Sequence, residues 1–385
     1  MNKAIPAILI ILSLALLFVS CNSDNSVDEA FNCTITFNGN GSTAGEMSAQ
    51  TVGIGKETRL SANAYERTQH LFTGWNTKAD GTGTTYEDRQ KIKPTDNITL
   101  YAQWEIIPIV LVDGSLDDSM KYWTDGNTYT LNSDVIIYPH IEVSGSVTLI
   151  LKDGYTLTAY CGIEVNEGNS LTIEASGEGT GIIEATGSGG NAGIGGLYNC
   201  NSGTIIINGG TVNAISEDGG AGIGGGREGS GGTITINGGI VNAIAEGGGA
   251  GIGGGSGGSG GTITINDGTV NASTKSNSSG AGIGGGKQGS GGTITINDGT
   301  VNASSGSGGA GIGGGINGSS GTITINGGTV TGSAKDGNEG IGRGVAGGSD
   351  GTLTLGDGVS LEVSHDNETW SDYDGTTRKR YMRTK

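Results

Sequence analysis

Between residues 204 and 355 the chain alternates polar and apolar positions in short bursts of period two. In Thr233-Ile234-Thr235-Ile236 both isoleucines fall on one side of an extended strand and both threonines on the other. Asn-Gly-Gly or Asn-Asp-Gly follows, supplying the positive-φ residues of a tight turn. Thr-Val-Asn-Ala then resumes as a second short strand, and after a variable loop Gly-Ala-Gly-Ile-Gly-Gly-Gly closes the unit. The isoleucine of the glycine segment recurs at Ile194, Ile223, Ile252, Ile283, Ile312 and Ile341, at intervals of 29, 29, 31, 29 and 29 residues. The threonine opening the first strand recurs at Thr204, Thr233, Thr262, Thr293, Thr322 and Thr352, at intervals of 29, 29, 31, 29 and 30. Two separate markers keep one period, and no segment carries helical spacing.

Units of this kind predict an all-β protein whose C-terminal part is a right-handed parallel β-helix with about 29–31 residues per coil. Each coil offers only four or five large apolar side chains, for example Ile234, Ile236, Val241, Ile244 and Ile252. Burying them cannot offset the ordering of about thirty residues, so stability has to come from stacking between neighbours. Stacking predicts a column of Asn208, Asn237, Asn266, Asn297 and Asn326, their amides bonded along the axis at the ~4.8 Å strand spacing. A stack also needs closed ends. Residues 105–173 read as a linker and entry cap with irregular first coils, residues 174–356 as the repeats, and residues 357–385 as an exit cap with Trp370, Tyr373 and Tyr381, plus a basic tail.

The N-terminal part is organised differently. From Cys33 to Trp104, strands such as Thr34-Ile35-Thr36-Phe37 and Thr99-Leu100-Tyr101-Ala102 are separated by Gly and Asn turns. Three stretches in order, Thr36-Phe37-Asn38-Gly39-Asn40-Gly41, Phe72-Thr73-Gly74-Trp75-Asn76-Thr77 and Leu100-Tyr101-Ala102-Gln103-Trp104, resemble the Listeria–Bacteroides repeat, also called the internalin B-repeat. The resemblance covers residues 33–104 and implies a small β-grasp-like module of surface proteins, used as a spacer or interaction domain. Trp75 and Trp104 admit two readings, a binding platform or the core of a domain with few other large apolar residues. The scarcity of alternatives favours the core.

Residues 1–20 read as a secretion signal: Lys3 gives a positive start, Ala4 to Val19 is apolar apart from Pro6 and Ser13, and Ser20 precedes Cys21. Leu17-Phe18-Val19-Ser20-Cys21 resembles the lipobox of bacterial lipoproteins. That resemblance implies lipidation of Cys21, membrane attachment through the anchor and a place in the cell envelope at the outer membrane or cell surface. Residues 21–32 then form a polar tether. With a net charge of −18 the chain is unsuited to nucleic acid, which needs a basic surface. The charge suits an extracellular protein or glycan partner instead. Eighty glycines in 385 residues could signal disorder, but the regularly recurring Ile and Val exclude it.

Export places Cys33, Cys161 and Cys200 in an oxidising setting, where Cys161 and Cys200, about one coil apart, either pair as a disulfide or remain thiols. No cofactor is expected. Gly-Ala-Gly-Ile-Gly-Gly-Gly is followed by no helix, so it is no nucleotide loop. His70, His140 and His365 lack metal-ligand neighbours at motif spacing, and no metal site is expected. Asp267 and Asp298 hold equivalent places in successive coils. They are turn residues by type, with a weak cation site or a glycosidase-like carboxylate pair as the alternative. No Phe, Tyr or Trp occurs from Asn199 to Thr369, so the repeats offer nothing for a sugar ring to stack on. The Thr-x-Thr array on Thr233, Thr235, Thr262 and Thr264 resembles that of ice-binding solenoids. Arg378, Lys379, Arg380, Arg383 and Lys385 make a basic tail, expected to be a solvated end, with docking on the acidic solenoid or an anionic polymer as alternatives. These readings together lead to a non-enzymatic surface scaffold or adhesin, with polysaccharide binding or degradation as the rival.

Overall fold

The computed structural model describes residues 31–112, 118–335, 338–376 and 380–385. The signal segment, Cys21, nearly all of the tether, Arg378 and Lys379 lie outside the described residues. The chain divides into two units, one built mainly from residues up to Glu105 and the other from Ile106 onward.

In the first unit seven strands form: β1 (Asn32–Asn38), β2 (Gln50–Gly53), β3 (Thr58–Arg59), β4 (His70–Asn76), β5 (Thr85–Tyr86), β6 (Lys91–Ile92) and β7 (Ile98–Ile106). Five of them make a sheet in the order β2-β1-β7-β4-β5, and β3 pairs with β6. The parallel β1–β7 pair sets Ile35 against Ile98 and Phe37 against Leu100. This alternation sends Ile35, Phe37, Leu100 and Ala102 inward, where they surround Trp75. No α-helix covers the sheet among the described residues. The core is instead sealed by aromatic side chains, with Phe37 and Phe72 at 4.9 and 5.0 Å from the Trp75 ring centroid.

The second unit is a β-solenoid with three parallel faces. Face A carries the Thr-Ile-Thr-Ile strands, such as Thr233–Ile236; face B the next strand, such as Ile240–Ala245; face C the Ile-Gly pair of the glycine segment, such as Ile252–Gly253. Each strand pairs in register with its counterpart one coil on, Thr233 with Thr262, Val241 with Val270 and Ile252 with Ile283. Ile234, Ile236, Val241, Ala243 and Ile252 all have zero exposure and form one continuous core running the length of the stack. Ile244 is not among them. Val241 and Ala243 face inward, so period two turns Asn242 and Ile244 outward, and the inward place that follows belongs to Ala245.

Close approach of the coils explains the glycine segment. At Gly195, Gly224, Gly253, Gly284 and Gly313 an added Cβ would lie 1.8–2.1 Å from the carbonyl oxygen of the matching glycine one coil further on. Gly253 also has φ +130°, which side-chain-bearing residues rarely adopt. Face C is therefore made of glycine because the backbone of the next coil occupies the side-chain volume.

The parallel stack starts earlier than the clean repeats. Ile109–Val110 already pairs with Tyr129–Thr130 on face A, and Trp123, stacked on Tyr129 at 5.2 Å, is fully buried at this end. At the other end the chain reverses direction on face B. Tyr381–Thr384 runs antiparallel to both Thr329–Ser333 and Leu361–Ser364, and Leu361, Val363 and Met382 close the core.

Candidate functional site

The sequence-derived candidates fare differently. Trp75 has zero exposure and belongs to the core of the first unit, while Trp104 is half-buried and donates from Nε1 to the Gly39 carbonyl at 3.0 Å. The two rings share no platform: Trp75 fills the centre of a small domain, the reading favoured from the sequence, and presents no face to a ligand.

Cys161 and Cys200 are both free thiols, as is the buried Cys33. The reason is positional. Cys161 sits where face B turns into face C, between Ala159 and Ile163, whereas Cys200 sits past face C, between Gly195 and Thr204. A spacing of roughly one coil puts residues near each other only at the same corner, and these two occupy different corners.

Asp267 and Asp298 stack as equivalents, yet each is exposed. Each accepts from the following backbone N–H, Gly268 at 2.7 Å and Gly299 at 2.8 Å. That is a turn-shaping role. Among the described residues neither joins a group of three or more metal-ligating side chains.

The asparagine column forms as expected. Nδ2 of Asn237, Asn266, Asn297 and Asn326 each donates to Oδ1 of the residue one coil before, at 2.6–2.7 Å. A second column on face B, Asn213, Asn242, Asn271 and Asn302, repeats the pattern at 2.8–3.0 Å. Its signal was the same recurring Thr-Val-Asn-Ala. Outside face A, Thr233 and Thr235 register with Thr262 and Thr264, then Thr293 and Thr295, then Thr322 and Thr324. Depressions along these faces differ in lining: one of about 350 Å3 on face B is bordered by Glu184, Thr186, Asn213, Ile215, Asn242 and Ile244. Another of about 270 Å3 is bordered by Asn201, Ser202, Thr204, Ser230 and Thr233.

The basic tail is docked. Arg383 pairs with Glu362 at 3.0 Å and lies 3.9 Å over the Trp370 ring, Lys385 pairs with Asp372 at 2.8 Å, and Arg380 Nε donates to the Ala334 carbonyl. A solvated end is thus corrected for the described part of the tail. The strand pairing of Tyr381–Thr384 holds the arginines where the cap is acidic.

Sequence reasoning passed over one cluster, on face C of the first coils. His140 Nε2 lies 3.3 Å from Glu142 Oε1 and 3.2 Å from Glu164 Oε2. Glu142 and Glu164 are register partners on adjacent strands, and His140 shares the outward side of its strand with Glu142 because Ile141 and Val143 point inward. Asn166 Nδ2 donates to Glu164 Oε1 at 2.6 Å and fixes that carboxylate. Burial, against the pull of His140 and with help from Glu142, pushes the Glu164 carboxyl above its usual range. The three ligand atoms lie within 4.8 Å of one another, a set able to hold a metal ion. Its sequence signal, His-x-Glu with a second Glu one coil later, is readable only once the coil register is known.

Nearby, exposed aromatics gather on the first coils: Tyr138 and Tyr160 stack at 5.1 Å and 11°, both about half exposed.

The fold defines a β-solenoid of the β-helix repeat class preceded by a small β-sheet module. Residues 34–103 match the family described as the Listeria-Bacteroides repeat domain, and residues 205–227, 234–256, 263–287 and 294–316 each match the β-helix repeat. A protein of Evansella cellulosilytica described as "Putative Gly-rich membrane protein" is 32% identical over 104 residues, 24% of this chain and 11% of that protein. The chain therefore spans about a tenth of the length of the curated relative it matches. No solved structure matches it.

Proposed function

We propose that this protein is a non-enzymatic, lipid-anchored scaffold of the cell envelope that displays interaction surfaces, in the manner of an adhesin. The observation that carries the reading is the state of the repeated faces. Outward Asn side chains hydrogen-bond one another along the stack, and outward Thr side chains repeat in register from coil to coil, so the repeated faces are committed largely to stacking. Recognition of an extracellular protein or glycan then falls to places that depart from the repeat, above all the first coils with their exposed tyrosines. An envelope location is supported by the signal-like leader and by the membrane-protein description of the Evansella relative. The test is binding of the folded, lipid-free protein to glycan arrays and matrix proteins. Binding that falls at least tenfold in Tyr138→Ala and Tyr160→Ala is expected, and absence of binding to every probe overturns the adhesin reading. For the anchor, Cys21→Ser abolishes metabolic palmitate labelling; unchanged labelling refutes it.

One observation favours a second reading, an ice-binding surface: paired outward threonines register on five successive coils without interruption, ending at Thr352 and Thr354. Thermal hysteresis that vanishes in Thr264→Lys supports it, and its absence in the unmodified protein removes it.

A further inference from the structure

We infer that His140, Glu142 and Glu164 form a binding site for a divalent transition metal of the zinc type on face C of the first coils. All three residues stand where the repeat has glycine. His140 precedes Ile141 as Gly162 precedes Ile163 and Gly193 precedes Ile194, and the positions of Glu142 and Glu164 pass to Gly195, Gly224 and Gly253 in the coils beyond. In those later coils an added Cβ meets neighbouring backbone, whereas in the first coils the same positions carry three long side chains converging on one point. The strand register that builds the solenoid thus sets two carboxylates one above the other, an arrangement that costs energy through like-charge repulsion unless a cation lies between them.

The distances allow one hydrogen bond from the ring and also match the spacing of ligands around a metal ion. A ring N–H can point at one oxygen, and charge-assisted N–H···O bonds are about 2.7–2.9 Å long. Here one Nε2 lies 3.3 and 3.2 Å from oxygens on two different carboxylates. Metal–ligand bonds of about 2.0–2.2 Å at a tetrahedral angle place neighbouring ligand atoms about 3.4 Å apart, close to these separations. Two carboxylates and one imidazole leave the remaining position to water, and the nitrogen donor selects zinc, cobalt or nickel over calcium and magnesium, which take oxygen. Asn166, bonded to Glu164 Oε1, acts as a positioning residue that leaves Oε2 turned to His140. The site is independent of the scaffold reading.

Titration calorimetry of metal-free, lipid-free protein with Zn2+ should give one ion per chain with a micromolar or tighter Kd, and Ca2+ at the same concentration should give none. His140→Ala and the pair Glu142→Gln/Glu164→Gln should weaken Zn2+ binding at least tenfold while keeping the far-ultraviolet dichroism of the folded solenoid, and Asn166→Ala about tenfold. Should His140→Ala fail to fold, ring 1H–15N resonances of the unmodified protein decide: Zn2+ must shift one of its three histidines, the one whose resonance is lost in His140→Gln. Zn2+ affinity unchanged in the variants, shifts at His70 or His365 instead, or a preference for Ca2+ would overturn the assignment.

Discussion

Nδ2 of Asn208 donates to Glu174 Oε1 at 2.6 Å, so the asparagine column that climbs the repeats is rooted on a carboxylate in the first coil below it. Every amide above is oriented the same way, its N–H toward the entry end and its carbonyl toward the exit. A charged acceptor at the base polarises the column in the direction all its dipoles already share.

Interrupting that column costs more in the middle than at the end. Asn266→Ala removes two bonds, one to Asn237 and one from Asn297, whereas Asn326→Ala removes only the one to Asn297. At about 0.5–1.5 kcal/mol per bond the expected losses are about 1–3 and about 0.5–1.5 kcal/mol. Thermal unfolding followed by circular dichroism checks the ranking; equal effects at both sites would show that the column is decorative.

Gly253→Ala should be among the most damaging single-methyl changes available to this chain. The methyl group would sit 2.1 Å from the Gly284 carbonyl oxygen at φ +130°, forcing two coils apart. A cost of about 3 kcal/mol or more is expected. Gly238→Ala is the control, since its nearest neighbour is 3.2 Å away and its φ is not positive. Denaturant midpoints of the two variants should separate clearly.

The exit cap has its own pH dependence. Asp366 accepts from the Glu368 and Thr369 backbone N–H groups at 2.9 and 2.8 Å and from Ser364 Oγ at 2.8 Å, which hold its carboxyl well below the usual range. Because the folded state lowers this pKa, the stabilisation is present above the ordinary Asp value and disappears as pH falls through the folded one. Asp366→Asn should therefore lower the melting temperature at pH 7 and do so less and less as the solution is acidified below pH 4. A constant difference across that range would contradict the assignment.

Alkylation offers a simple check of the cysteines. Protein beginning at residue 31 and purified without reductant should take up three equivalents of iodoacetamide after unfolding, at Cys33, Cys161 and Cys200. Its melting temperature should be unaffected by dithiothreitol. One equivalent, or a reductant-sensitive transition, would mean that the bridge forms after all.

Much of this architecture was legible in the order of residues. Period two in Thr-Ile-Thr-Ile settles which side of each strand is buried, the interval of 29 to 31 residues brings like over like, and the Asn column follows from those two facts alone. Even a lapse such as Ile244, counted as core by its chemistry, is put right by the alternation running from Val241.

What needed the tertiary structure is everything that depends on which corner of a coil a residue occupies. Cys161 and Cys200 are separated by a plausible number of residues but lie at different corners, and Trp75 is far more enclosed than its motif partner Trp104. His140 has no ligand at any familiar spacing, yet register delivers Glu142 and Glu164 to it. Periodicity in a chain reports local geometry, since strand alternation and turn chemistry act over a few residues. Convergence of residues 22 positions apart depends on how many residues each irregular coil takes to come round, a quantity set by stacking of the whole solenoid and carried by no single segment.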